Sequence, residues 1–266
     1  MEKETKGDRS TLAPSTVNRL MSDLRAALNA AAERHRRELP AHILAEVKIG
    51  TRALPLAAAT ARKQILAPAQ IQNIIGAAFS VDDSGDFGRL VLVAAATGAR
   101  YSQITAIRVG DVQAAQGRIL VPGSRKGRSP RAKPPAAVPV SQDVIEKLKP
   151  ALDGRPADAP LLSRWAYRNI GPFKWERDHR RPWGPAYEIE KHWAACVAAA
   201  EVPPETVMYA LRHSSIVRGL TVGIPVRLVA ALHDTSIEMI EAHYSAHITE
   251  ATDEIARRAV LSWPAA

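Results

Sequence analysis

The alternation of apolar and polar positions predicts a chain of helices with little strand. Val17, Leu20, Met21, Leu24, Leu28 and Ala31 recur at helical spacing and predict a helix from Ser15 or Thr16, either able to cap it, to about residue 37. Pro40 ends it, and a less regular helical piece runs to about residue 49. Residues 51–64, with Pro55 and an Ala-rich run, read as a linker. A larger unit begins near Leu66. Pro68 suits the first turn of a helix to about residue 78. The polar stretch 80–86 then precedes an apolar run, 87–96, that reads as a buried helix. Residues 118–121 and 137–140 read as two short strands, and Ser141 caps a helix over about 142–152. Residues 153–185, rich in Pro, Arg and Trp, read as a second DNA-contacting loop or, slightly favoured, an irregular segment anchored by its tryptophans, and a helix covers about 186–201.

The most informative stretch is 209–244. Leu211, Ile216 and Leu220 alternate with Arg212, His213, Ser214 and Arg218, which predicts an amphipathic helix. Gly219 and Gly223 loosen its end, and Pro225 suits the start of a second helix over 226–232. After the polar break His233-Asp234-Thr235, Thr235 and Glu238 have capping-box spacing for a third helix ending near Tyr244. A final amphipathic helix is expected over 247–261. Tyr209 and Arg212, at i and i+3, share a helix face.

Composition narrows the functional classes. The 266 residues suffice for one large domain or two small ones, and 46% are apolar, as in globular chains. No apolar run is long enough to span a bilayer, and the polar start MEKETKGDRS is read as a disordered lead, not a signal peptide. One cysteine, Cys196, argues against disulfides and fits a cytoplasmic protein. The formal charge of +9 and pI near 9.9 favour a polyanionic partner, most simply nucleic acid. Aromatic residues are too few to suggest stacking on single strands.

Two further places carry candidate chemistry. In Thr97-Gly98-Ala99-Arg100, a glycine frees the backbone just where an arginine is set at a helix start; read alone, an ordinary corner with a surface arginine is favoured. Between the two predicted strands, Arg125, Lys126, Arg128, Arg131 and Lys133 crowd one loop without a carboxylate, as expected of a DNA-contacting tip or of a solvated loop. No Walker-type glycine loop and no metal-ligand spacing of His, Cys and Asp is found, so no cofactor or metal is expected.

Residues 209–244 resemble the C-terminal signature of the tyrosine recombinases, or phage integrases: H-x-L-R-H, a glycine turn, L-G-H-x-S, then a tyrosine on a helix. The matching residues are Tyr209-Ala210-Leu211-Arg212-His213, Gly223, Leu232-His233-Asp234-Thr235-Ser236 and Tyr244. Tyr209 stands where the family usually has His, His233 where it has Gly, and Asp234 where it has His or Trp. Residues 97–103 resemble the first-arginine box, T-G-x-R-x-x-E, with Gln103 in place of Glu, and Ile107 and Asp111 fill the pattern that follows.

The resemblance implies a mainly α catalytic domain with a small antiparallel β-sheet (α+β) over 65–266. Before it, 1–64 is a partial helical core-binding region and linker that lacks the earlier helices of its counterpart. It further implies a metal-independent, cytoplasmic integrase of a phage or other mobile element, acting on double-stranded DNA as a homotetramer. Tyr244 is then the nucleophile, Arg100 and Arg212 clamp the phosphate, and Lys126 protonates the leaving oxygen with Lys133 in reserve. Arg125, Arg128, Arg131 and Lys133 contact DNA. Tyr209 hydrogen-bonds the phosphate. Asp234 must pair with an arginine to avoid repelling it, with His233 taking the missing role, unless the turn is rearranged so that neither meets DNA. A non-catalytic recombinase-like or helix-turn-helix DNA-binding protein stands as the alternative. Arg212→Ala is expected to abolish cleavage and leave DNA binding largely intact.

Overall fold

Helix α4 (Asp86–Thr97) shows why the larger part of the chain folds as it does. Its sequence, DFGRLVLVAAAT, is apolar on nearly every face, so it has no side to give to water. Phe87, Leu90, Val91 and Val93 are fully buried, each contributing roughly 1.5–3 kcal/mol by its burial. The computed structural model describes residues 12, 14–55, 64–124, 133–258 and 260. Most of the polar lead, residues 56–63 of the linker, and Arg125, Lys126, Arg128 and Arg131 lie outside the described residues.

The chain divides into two compact units, Met1–Arg62 and Lys63–Ala266. The first carries α1 (Pro14–Arg34) and α2 (Ile43–Gly50). Arg25 Nε donates to Thr51 Oγ1 at 2.6 Å and Asn18 exchanges two hydrogen bonds with Leu54, tying the segment after α2 to α1. Leu20, Leu24 and Leu28, the predicted apolar stripe of α1, remain exposed.

In the second unit α3 (Pro68–Val81), α6 (Gln142–Leu152) and α8 (Ala210–Thr221) pack on α4, and α7 (Glu190–Ala199) packs on α3. Helix α5 (Tyr101–Ile104) is one turn after the glycine corner. A three-stranded antiparallel sheet has the order β1 (Val112–Gln113), β2 (Arg118–Val121), β3 (Ala136–Pro139). Ile119 pairs with Val138, and both point into the core.

Two expectations need correction. Residues 163–182, expected to be irregular, form an antiparallel hairpin of β4 (Ser163–Gly171) and β5 (Lys174–Pro182). Nearly all of its residues are half-buried or exposed, so neither strand needs the apolar alternation that announces a half-buried strand. Side-chain ties at its base hold it instead. Arg180 makes two bonds to Asp86 at 2.5 and 2.7 Å, and Arg181 and Arg164 meet Glu188 at 2.8 and 3.4 Å. Burial works to raise the Asp86 pKa, but hydrogen bonds from Arg180, Ser84 and Arg89 outweigh it and hold the carboxyl below its ordinary range. Trp183 is indeed a buried anchor, 6.1 Å from the Phe87 ring.

The second correction concerns the end of the chain. The helices expected to end near Tyr244 and to restart near 247 are one helix, α10 (Ile237–Arg258). Ser245 and Ala246 contain no breaker, so the helix runs through. Its first turn is capped by Ser236, whose Oγ accepts the Met239 N–H at 3.3 Å, and not by Thr235. The Thr235 N–H is instead spent on Ala230 O at 2.9 Å, closing the end of α9 (Val226–Leu232). No helix among the described residues is long and apolar enough to cross a membrane.

Candidate active site

The site grows from three backbone corners. The first is the end of α4. Gly98 adopts φ +60°, and a Cβ there would lie 2.7 Å from both His233 Nε2 and Ser215 Oγ. A side chain is therefore excluded twice, by conformation and by space. The corner places Arg100 at the start of α5, where Gln103 Oε1 accepts the Arg100 N–H at 3.1 Å.

The second corner joins α9 to α10. Asp234 N–H donates to Ala231 O at 3.2 Å and Thr235 N–H to Ala230 O, the paired bonds of a Schellman cap. Asp234 occupies its left-handed position at φ +45°, a conformation aspartate tolerates better than most residues. Its carboxylate is thereby aimed at Ser124 and at Lys133 of the basic loop. Oδ2 accepts the Ser124 N–H at 2.7 Å and Gln103 Nε2 at 3.2 Å, and Oδ1 lies 3.2 Å from Lys133 Nζ. Arg100 Nη1 donates to the Asp234 carbonyl at 3.0 Å and lies 3.5 Å from Oδ2. Burial raises the Asp234 pKa, but bonds from Ser124 and Lys133 more than offset it, so the group stays ionised. The pairing with arginine that the sequence required is present. Gln103, a neutral amide where a second carboxylate would repel Asp234, donates to Asp234 and to Pro122 O at 2.6 Å.

The third corner is the start of α8. Tyr209 is its N-cap residue, and Arg212, one turn in, is only 3% exposed. Arg212 Nη1 donates to Gly98 O at 2.9 Å and Nη2 to His233 O at 2.6 Å, so one side chain joins all three corners. Those acceptors are neutral and leave the guanidinium charge uncancelled. Burial and the nearby Arg100 both push its pKa below the ordinary guanidinium value, and Tyr209 and Tyr244 act in the opposite direction. Such a group gains by binding an anion.

His233 is buried under Gly98. Its Nδ1 lies 2.8 Å from Val229 O, and its Nε2 3.0 Å from Ser215 Oγ, so both ring nitrogens are held within the protein. Burial pulls its pKa from 6.5 to about 4, the bond to Val229 opposing and the arginines adding to the fall. The unfolded chain therefore takes up a proton near pH 6.5 that the folded protein refuses until about pH 4. Its contribution to stability is full above pH 6.5 and is lost as pH falls through that window, by roughly 3 kcal/mol. Urea midpoints measured between pH 7 and 4 are expected to fall more steeply for the parent protein than for His233→Gln.

Tyr244, on α10, is 6% exposed. Its hydroxyl lies 2.5 Å from Nδ1 of His213, a residue outside the catalytic set expected from the sequence. Tyr209 stacks edge-on against His213 with centroids 4.9 Å apart, and the Arg212 guanidinium lies 6.0 Å from the centre of the Tyr209 ring. Burial, helped by Tyr209 and opposed by Arg212, pushes the Tyr244 pKa up to about 12. The spacing of 209 and 213 at i and i+4 could have marked them as neighbours, but their meeting with 244 needed the fold. Among the described residues no group of three or more His, Cys, Asp or Glu is placed to hold a metal ion.

No protein-family model and no curated protein matches the chain. Solved structures do. The Tn1549 transposon integrase in complex with circular-intermediate DNA superposes with a TM-score of 0.60 at 15% identity, over 94% of this chain and 81% of that one. The same integrase with transposon right-end DNA gives 0.59 at 17% identity, over 94% and 81%. XerA recombinase gives 0.50 at 17% identity, over 95% and 85%. The fold is that of the tyrosine recombinases. Within the tyrosine-recombinase fold of this chain, Arg100, Tyr209, Arg212, Asp234 and Tyr244 stand around one centre. His233 lies beneath it, and Lys133 reaches it from the basic loop.

Proposed function

We propose that this protein is a site-specific DNA recombinase that cuts and rejoins double-stranded DNA through a 3′-phosphotyrosine link to Tyr244. The observation that carries the reading is the single hub at Arg212. It joins the Gly98 corner, which sets Arg100, to the His233 corner, beside the Tyr244 phenol. Two guanidiniums so placed bind a phosphodiester and stabilise the charge that grows on its oxygens during displacement. Tyr244 attacks phosphorus and the 5′ oxygen leaves. Lys126 in the basic loop donates its proton, and Arg125, Arg128, Arg131 and Lys133 hold the flanking backbone. The link conserves the energy of the broken bond, so rejoining needs no nucleotide. Tyr209 supplies a hydrogen bond to the phosphate and not a base, since a phenol is a poor base near neutral pH.

The helices before the linker grip DNA from outside the catalytic unit, and exchange between two duplexes requires four protomers. A cytoplasmic integrase of a mobile element is the setting that fits. The helix-turn-helix alternative would read a groove with α9, the second helix of the pair, and would bind without cutting. A recombinase-like binder that does not cut is the remaining alternative. The test is a nicked duplex from the DNA flanking the gene, incubated with the protein and then denatured. Protein-linked DNA is the expected product, and binding without it would establish the non-cutting reading.

A further inference from the structure

The phenol of Tyr244 must lose a proton to attack phosphorus, and Tyr209, the other phenol beside it, is a poor base near neutral pH. Arg212 has only donors to offer. The Asp234 carboxylate is committed to Ser124, Gln103, Lys133 and Arg100. His233 is buried with Val229 O on one nitrogen and Ser215 on the other. His213 is in direct contact with the phenol: its Nδ1 lies 2.5 Å from the Tyr244 oxygen, with ring centroids 5.8 Å apart.

We propose that His213 is the general base of the cleavage step, with Tyr209 positioning its imidazole. The inference rests on the reading of Tyr244 as nucleophile. In the neutral ring with the proton on Nε2, Nδ1 accepts the phenol O–H. As the Tyr244 oxygen bonds to phosphorus, its O–H bond breaks and the proton passes to Nδ1. The P–O5′ bond then breaks, and the leaving oxygen takes a proton from the basic loop. On rejoining, the imidazolium returns its proton to the phenolate. The edge-on contact of Tyr209 with His213, at i and i+4 on the same helix face, fixes the plane of the ring. A phenol whose pKa burial has raised to about 12 has particular need of such a base.

The experiment measures the rate of adduct formation on the nicked duplex for the parent protein, His213→Ala and His213→Asn, each with and without added imidazole. DNA binding and melting temperature are followed in parallel. Both variants are expected to form adduct about 10²–10⁴-fold more slowly. Imidazole is expected to restore part of the rate in His213→Ala and none in Tyr244→Phe. Asparagine keeps a hydrogen-bonding side chain without the basicity, so it remains informative if alanine unfolds the protein. Adduct forming at the parent rate or faster in either variant would overturn the proposal, making His213 at most a latch on Tyr244. A slow His213→Ala that imidazole does not rescue, beside a full-rate His213→Asn, would reduce it to a packing residue. A parent protein that forms no adduct at all would overturn the parent reading and this one with it.

Discussion

Tyr244→Phe is expected to leave no protein-linked DNA after denaturation, on substrates where the parent protein gives a covalent product. The substitution removes one oxygen and nothing else of the ring. That oxygen is the atom that would join phosphorus, and no neighbouring group replaces it: Tyr209, the nearest other phenol, belongs to a different helix end and stacks on His213. Loss of the bond to His213 costs about 1 kcal/mol, so the variant is expected to fold and to bind DNA as the parent does. Residual adduct in the variant, mapped by mass spectrometry to another side chain, would show that Tyr244 is not the nucleophile.

Arg212 carries the second large effect, and the structure changes what its substitution is expected to do. From the sequence, Arg212→Ala should stop cleavage and spare binding. The guanidinium, however, also holds the carbonyls of Gly98 and His233. Each buried carbonyl left without a donor costs roughly 1–3 kcal/mol. Arg212→Ala is therefore expected to lower the melting temperature on the order of 5–10 °C in addition to abolishing cleavage. Arg212→Lys is the cleaner test. It keeps the charge, but a single ammonium cannot bridge two carbonyls and also clamp a phosphate. Cleavage is expected to fall about 10²–10³-fold, as when one donor to a developing oxyanion is lost, with DNA binding retained. Cleavage at the parent rate in Arg212→Lys, measured by adduct formation, would assign Arg212 to folding alone.

Much of the fold could be read along the chain because the relevant forces are local. The all-round apolar run of α4, the Pro68 and Pro225 helix starts, and the β2 and β3 strands are fixed by periodicity and punctuation, and the observed elements follow them closely. Arg100, Arg212 and Tyr244 could be named as candidates from the resemblance of their motifs, while spacing alone did not single them out. The β4–β5 hairpin was not, because ion pairs to Asp86 and Glu188, distant in sequence from one or both strands, hold it in place of an apolar face. The cap of α10 was misplaced by one residue because Thr235 and Ser236 are equally good caps until the end of α9 claims the Thr235 N–H.

The chemistry divides in the same way. The sequence by itself determined which residues are able to attack, clamp or donate, since those capacities belong to side chains. Only the tertiary structure decided where they stand and what they touch. The left-handed turn at Asp234 directs a carboxylate away from its apparent clash and into Ser124, Lys133 and Arg100. Burial keeps the His233 ring neutral inside the protein. The packing of α10 against α8 brings Tyr244 to His213, 31 residues away in the chain. Such outcomes depend on desolvation and on distances between elements, and neither quantity is written in the local order of residues.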